Sequence, residues 1–219
     1  MTDTKPDCTA VSMPCAEYQD SPKRRAILDA ATRLFLEHGF TATSMDAIAE
    51  AAPVSKPTLY CHFKDKGDLF GAVVSGRCCS LMQSLYEHTS ADEDIDIALR
   101  AIAASFLDLI YATEAISLYR IIISELKQFP TLGQTLYSEG PTKILCLLSS
   151  FFAQQHERGT LSIHDPEMAA RLFLSMLKGD YHMQCLLGVR QTVSAEERIQ
   201  IIDAVVPLFI AGYCNRTKS

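Results

Sequence analysis

The sequence predicts an all-α protein in which a three-helix module, a helix-turn-helix, precedes a larger helical domain. Apolar residues recur at helical spacing along the chain from Ile27 to Phe209. No convincing strand pattern or internal repeat accompanies them. Helix-start and helix-stop residues also divide residues 21–70 into three short segments.

Three parts of the chain follow from these observations. Residues 1–20 contain Pro6 and Pro14 and no periodic apolar positions, which predicts a flexible N-terminal arm. Residues 21–70 form the predicted three-helix module. Residues 71–219 form the larger helical domain.

The first predicted helix begins at Ser21-Pro22, because the serine hydroxyl can cap a helix and proline suits its first position. Its buried side is predicted from apolar residues at helical spacing, which are Ile27, Leu28, Ala31, Leu34 and Phe35. Gly39 supplies the predicted stop, with Phe40 just beyond it.

The second and third predicted helices are both short. Thr43 or Ser44 caps the second helix, and Ser55 caps the third, which begins at Lys56. Helices of about two turns are not stable alone, so these two must pack across each other on the first helix. The arrangement is a helix-turn-helix over about residues 45–63, whose second helix enters a major groove of DNA.

The rest of the chain is predicted to be helical as well. The predicted helices cover about residues 66–85, 98–111, 115–129, 131–156, 166–187 and 195–213. Gly140-Pro141 is expected to interrupt the fourth of these. Ser194 and Glu197 form a capping box at the start of the last helix, which Pro207 should bend.

The charge is distributed unevenly. The net charge of −6 argues against a protein that coats nucleic acid nonspecifically. Residues 21–70 nevertheless carry seven basic and six acidic residues, and are the one net-positive part. This pattern fits a local phosphate footprint, although charge alone would equally fit a solvated helix face.

Motifs of catalysis and metal binding are missing from the sequence. It contains no GxSxG, HExxH, P-loop or GxGxxG pattern, so an enzyme is not expected. The eight cysteines include no CxxC pair, and no histidine pair beside them has zinc-ligand spacing, so neither a metal nor a cofactor is expected. Free thiols are the expectation, with a redox-sensing role left open for Cys8, Cys15, Cys78 or Cys79.

The sequence also bears on location. The longest apolar runs are too short to cross a bilayer, and the first residues lack the basic and apolar regions of a signal peptide. The expectation is a cytoplasmic protein with no membrane partner.

Two stretches of the N-terminal part carry a family resemblance. Residues 47–52 (AIAEAA) and 54–66 (VSKPTLYCHFKDK), preceded by residues 25–31 (RAILDAA) and 35–40 (FLEHGF), resemble the DNA-binding module of the tetracycline-repressor (TetR) family. In the C-terminal half, Ser124-Glu125 and the stretch from Phe129-Pro130 to Gly140-Pro141 are similar to the AefR-like subset of that family.

The resemblance implies a set of DNA-binding residues. Its members are Thr43, Ser44, Ser55, Lys56, Pro57, Thr58, Tyr60, His62 and Lys66. Thr43, Ser44, Tyr60, His62 and Lys66 would contact phosphates, and the exposed start of the third helix would face base edges. The alternatives are plain helix capping for Thr43 and Ser44, a half-buried core position for Tyr60, and a solvated surface position for Lys66.

Two positions depart from the family pattern. Pro53 stands where many members have glycine, which can take a positive φ in the turn. Because the proline ring restricts φ to about −65°, we expect this turn to use another conformation. Met45 stands where some members place a polar DNA contact, so that contact is expected to be missing.

For the larger domain, the resemblance implies an effector cavity and a dimer interface. The interface would involve about residues 166–187 and 195–213, whose broad apolar stripes support it independently. Candidate effector-lining residues are Phe106, Tyr111, Tyr119, Arg120, Phe151, Met176, Tyr181 and His182. Ordinary core packing is the alternative for the apolar and aromatic ones, and pairing with an acid such as Glu125 is the alternative for Arg120.

The function expected from these features is a ligand-responsive transcriptional regulator. It would bind a palindromic DNA operator as a homodimer, act as a repressor, and be released by a small lipophilic effector. The alternatives are an effector-independent DNA-binding protein of the same fold, or an activator.

Overall fold

The structure, a computed structural model, describes residues 21–87 and 94–214. Within those two ranges it contains α-helices and one π-helical turn but no strand, as predicted. The helices are α1 Pro22–Ala42, α2 Met45–Ala51, α3 Lys56–His62, α4 Lys66–Glu87, α5 Ile95–Tyr111, α6 Thr113–Glu125, α7 Pro130–Tyr137, α8 Lys143–Glu157, α9 Pro166–Lys178, α10 Tyr181–Leu187 and α11 Ala195–Tyr213; the π-helical turn is Ser138–Thr142. The predicted arm, residues 1–20, lies outside the described residues. None of the described helices is long and apolar enough to cross a membrane.

Helix α1 begins as the sequence predicts but ends later. The backbone N–H of Arg24 donates to the Ser21 hydroxyl at 3.1 Å, and Pro22 occupies the first turn. Gly39 leaves the helical conformation at φ 81° and ψ 171°, which glycine tolerates because it has no Cβ. One further turn follows up to Ala42, so Gly39 produces a kink within the helix instead of its end.

Helices α2 and α3 are capped by serines. The N–H of Ala47 donates to the Ser44 hydroxyl at 3.1 Å, which decides the cap of α2 in favour of Ser44 over Thr43. The N–H of Thr58 donates to the Ser55 hydroxyl at 3.3 Å. Between the helices, Pro53 has a φ of +22°, so the expectation that proline would keep this turn out of positive φ is wrong. Such a value is strained for proline. Pro53 is exposed, and the N–H of Val54 donates to the carbonyl of Ala49 at 3.0 Å across this turn.

The helices group into two compact units, of which the first contains residues 21–79 and 113–142. Helices α6 and α7 therefore pack with the helix-turn-helix. Leu118, Ile122 and Leu132 share a buried core with the residues of α1 to α4. The ring of Phe40 lies 5.6 Å from Phe35 and 5.6 Å from Phe129, so the aromatic cluster also spans both stretches.

The second unit contains residues 80–87, 94–112 and 143–214 of the described chain. Phe152, Phe173 and Phe209 form its aromatic centre, with ring separations of 4.9 to 5.9 Å. The helix predicted over residues 166–187 is divided, because Gly179 (φ 51°) ends α9 before the short α10 begins. The predicted capping box of Ser194 and Glu197 is present at the start of α11.

The cysteines depart in part from the expectation of free thiols. Cys61, Cys78, Cys185 and Cys214 are not in disulfides, whereas Cys146 is disulfide-bonded. Within the part of the chain that the structure describes, no group of three or more His, Cys, Asp and Glu side chains is arranged to hold a metal ion.

Candidate nucleic-acid interface

One face of α3 is exposed and the other is buried. Leu59 is fully buried in the core of the first unit, and Phe63, which caps the helix end, is 2% exposed. Lys56, Pro57 and Tyr60 lie on the solvent side, where Tyr60 is 51% exposed. The alternative of a half-buried core tyrosine therefore does not describe Tyr60, and its ring is accessible to a ligand.

The start of α3 carries a small polar network. The Lys56 ammonium lies 2.6 Å from a carboxylate oxygen of Asp46 on α2, and both side chains are exposed. Exposed ion pairs contribute about 0–1 kcal/mol to stability. Lys56 can therefore leave Asp46 for a phosphate or a base with only a small loss of free energy. The hydroxyls of Ser55 and Thr58 lie 2.8 Å apart and share a hydrogen bond.

The two hydroxyls predicted at the start of α2 differ in their surroundings. Ser44 is exposed and caps the helix, so it lies at a helix N-terminus, where an anion would be favoured. Thr43 is 2% exposed, and its hydroxyl donates to the carbonyl of Gly39 at 2.7 Å and is 3.1 Å from that of Leu34. The geometry supports capping of α2 and access to a phosphate for Ser44, whereas the Thr43 hydroxyl is engaged by carbonyls of α1.

Lys66 is directed into the protein. Its ammonium donates to the carbonyls of Phe40 at 2.7 Å and Thr43 at 2.8 Å, and lies 4.4 Å from the centre of the Phe40 ring. Burial lowers the pKa of Lys66, and the nearby carboxylate of Glu125 partly offsets that effect. The lysine predicted to contact a phosphate thus stabilises the segment before α2 in this structure.

Two basic residues at the start of α1, which are not among the DNA-binding residues implied by the resemblance, lie beside α3. The Arg24 guanidinium lies 4.5 Å from the centre of the Phe63 ring. Lys23 lines a shallow depression of about 410 Å³ together with Ser55 and Thr58. The available signal was the basic run of residues 23–25.

His62, at the last position of α3, is half-buried beside the ring of Phe63.

The candidate effector-lining residues do not form one set. Tyr119 and Arg120 lie in the first unit, and Arg120 is exposed. The other six lie in the second unit, where Phe106 and Phe151 are buried and Met176 is half-buried. A groove of about 610 Å³ runs between α1 and α4 in the first unit, and none of the eight candidates lines it.

Two of those six candidates, Tyr111 and His182, lie in contact, and a third, Tyr181, packs against an arginine. The Tyr111 hydroxyl donates to the carbonyl of Lys178 at 2.6 Å, and its ring lies 6.3 Å from that of His182. The Arg190 guanidinium lies 4.4 Å from the centre of the Tyr181 ring. Burial raises the pKa of Tyr111 to about 12 and lowers the pKa of His182, because both environments disfavour the charged form.

Two family profiles match the chain. Residues 27–73 match the one described as "Bacterial regulatory proteins, tetR family", and residues 97–215 match the one described as "AefR-like transcriptional repressor, C-terminal domain".

Solved structures resemble most of the chain. A protein from Mesorhizobium loti MAFF303099 that is assigned to the TetR family of transcriptional regulators has 31% identity and a TM-score of 0.74, covering 88% of this chain and 96% of that one. The flavonoid-responsive regulator FrrA has 33% identity and a TM-score of 0.68, covering 89% and 98%.

Among curated relatives, the transcriptional activator FasR of Mycolicibacterium smegmatis is 36% identical over 88 residues, which is 40% of each chain. The match therefore spans less than two thirds of FasR.

Proposed function

The chain belongs to the TetR family and is a transcriptional regulator, and from that premise we propose that it binds a palindromic DNA operator as a homodimer and responds to a small lipophilic effector. In this proposal it acts in the cytoplasm as a repressor. The AefR-like repressor profile over residues 97–215 favours repression, while the similarity to the activator FasR keeps activation as the alternative.

The exposed start of α3 is the observation that carries the proposal. Lys56 and Thr58 present hydrogen-bonding groups there, and Pro57 and the Thr58 methyl present apolar surface suited to a thymine methyl group. Ser44 and the N-terminus of α2 offer a phosphate site beside them. These groups supply both classes of contact that a DNA reader needs, to base edges and to the backbone.

Exposed apolar side chains in the second unit support the homodimer. Met168 and Leu172 on α9 are 50% and 46% exposed, and Ile199 and Leu208 on α11 are 57% and 63% exposed. Such residues on helices of a monomer are candidates for burial in a partner. A two-fold dimer would separate its recognition helices by about 34–36 Å or a multiple, and so would match a palindrome.

The effector is the least constrained part of the proposal. Tyr111 and His182 place two aromatic rings together in the second unit, which suits an apolar, aromatic ligand better than a sugar. FrrA, a flavonoid-responsive protein of similar sequence, supports a small-molecule response. An effector-independent DNA-binding protein is the alternative.

The proposal is tested by footprinting the purified protein on its source genome, followed by ligand competition at the strongest site. We expect a protected palindrome at moderate salt, a dimeric mass in sedimentation, and release by lipophilic compounds. Absence of any selective footprint would refute the DNA-binding role. Release by no member of a broad lipophilic set would favour the effector-independent alternative.

A further inference from the structure

A carboxylate outside the helix-turn-helix holds the segment that leads into α2. The N–H of Phe40 donates to Glu125 Oε1 at 2.9 Å, and the N–H of Thr41 donates to Oε2 at 3.0 Å. The Thr41 hydroxyl donates to the same Oε2 at 2.6 Å. Glu125 is the last residue of α6, about 85 positions away in sequence.

The kink at Gly39 explains why a carboxylate is needed there. A break in a helix removes intrahelical acceptors from N–H groups that follow it. The N–H groups of Phe40 and Thr41 come directly after this break and donate to the Glu125 carboxylate. Acceptor bonds to an ionised carboxylate are about twice as strong as neutral ones. A Cβ at residue 39 would lie 2.7 Å from Glu125 Oε1, so glycine also provides the space for the carboxylate.

The carbonyl side of the same segment is held by a cation. Lys66 donates to the carbonyls of Phe40 and Thr43, as described above. Residues 40–43 are thus held between an anion on their donor groups and a cation on their acceptor groups. The next residue is Ser44, the cap of α2 and the supported phosphate-contacting residue. We call the arrangement of Glu125, Lys66 and residues 40–43 the clamp.

Packing of α6 fixes the position of the carboxylate. Ile122, one turn before Glu125, is 1% exposed, and Leu118 is 7% exposed in the core that also contains Phe40. A side chain anchored by such a helix face loses little further freedom when it binds, which favours a precise hydrogen-bond geometry.

We propose that Glu125 is a positioning residue for DNA recognition, acting through the clamp to set where Ser44 and α2 lie relative to α1. The inference rests on the DNA-binding function proposed above, and it extends the determinants of operator affinity to a helix outside the helix-turn-helix. Glu125 itself touches no DNA in this scheme.

The net charge of the protein and the clamp predict opposite changes in DNA affinity when the charge of Glu125 is removed. Removing a negative charge from a DNA-binding protein should strengthen its binding to every duplex, because the phosphates repel that charge. The clamp instead predicts that removing the charge of Glu125 weakens binding to the operator. The two explanations can therefore be separated by the direction of change.

The experiment compares Glu125→Gln with Glu114→Gln, a matched control on the same helix. Glu114 is exposed, lies 3.8 Å from Arg77, and makes the same change in net charge when replaced. Affinities are measured for the operator that the wild-type protein selects and for an unrelated duplex, over a series of salt concentrations. Thermal melts give the folded fraction of each variant.

We expect Glu125→Gln to weaken operator binding by about tenfold or more, the size of a lost charge-assisted hydrogen bond. Binding to the unrelated duplex should not weaken, and the salt slope should not change, because no phosphate contact is removed. Glu114→Gln should leave operator affinity within about twofold. Thr41→Val, a milder change that removes one donor to Glu125, should weaken operator binding in the same direction.

Three results would overturn the inference. Operator affinity of Glu125→Gln equal to or above that of Glu114→Gln would show that charge alone acts. Equal losses on both duplexes, explained by a smaller folded fraction, would show a merely structural role. A wild-type protein that selects no operator would refute the proposed function itself, and that result precedes any comparison of variants.

Discussion

The ammonium of Lys66 lies 2.7 Å from the carbonyl oxygen of Phe40 and 4.4 Å from the centre of the Phe40 ring. A lysine that a motif assigns to DNA is therefore already engaged by backbone carbonyls and an aromatic face. Replacing Lys66 should therefore first lower the free energy of unfolding.

Lys66→Met should lower the free energy of unfolding by about 1–3 kcal/mol, because it removes hydrogen bonds from a charged donor. Urea denaturation measures this loss. The salt slope of DNA binding should be unchanged. A slope reduced by about one would show that the lysine leaves the carbonyls for a phosphate in the complex.

Lys56→Ala should change the preference between DNA sites, with a discrimination of about 1–3 kcal/mol at one base pair. Stability should change little, because the Lys56–Asp46 pair is exposed. Tyr60→Ala should instead weaken all duplexes to a similar degree. Binding to a panel of single-base operator variants checks both, and identical profiles for the two proteins would contradict the assigned roles.

Pro53→Gly should stabilise the protein by about 1 kcal/mol. The positive φ of Pro53 is strained by about 1–3 kcal/mol, and glycine relieves that strain at some cost in unfolded-state entropy. Thermal or urea unfolding measures the change. Pro57→Gly is the control, since Pro57 lies in the first turn of α3, where proline is well suited, and its replacement should destabilise the protein.

Acidification should destabilise the protein through His182. Burial and nearby Lys178 lower the pKa of His182 in the folded state below its unfolded value of 6.5, so the unfolded state binds the proton more readily. This contribution to stability is complete above the unfolded pKa and is lost as the pH falls from the unfolded pKa through the lower folded pKa. His182→Asn should flatten the decline in unfolding free energy between about pH 7 and pH 5 relative to the wild-type protein. His164→Asn, at an exposed position, should not.

Leu172→Lys should weaken the proposed dimer by about tenfold to a hundredfold, the effect of losing one buried leucine side chain at an interface. Sedimentation equilibrium measures the dissociation constant. Ile123→Lys is a matched control, because Ile123 is similarly exposed at 55% but lies on α6 of the first unit. If both variants dimerise as the wild-type protein does, the interface lies elsewhere.

The amino-acid sequence by itself determined the all-α class, the starts of the first and third helices and the exposed face of α3, and it narrowed the cap of the second helix to Thr43 or Ser44. These features depend on contacts between near neighbours. Ser21, Ser44 and Ser55 each cap a helix through an N–H three residues away, and the buried positions of α3 follow from helical spacing. The capping box at Ser194 was predictable for the same reason.

Tertiary structure decided what the sequence left open, because those features depend on residues distant in the chain. The N–H groups of Phe40 and Thr41 find their acceptor in Glu125, about 85 positions away, and Pro53 takes a positive φ against its local preference. In the folded chain Thr43 and Lys66 donate to backbone carbonyls, although the family resemblance predicted that both contact phosphates. Local patterns specify which side chains are present and exposed on a helix, but only the folded chain determines which hydrogen-bond partner a polar side chain finds first.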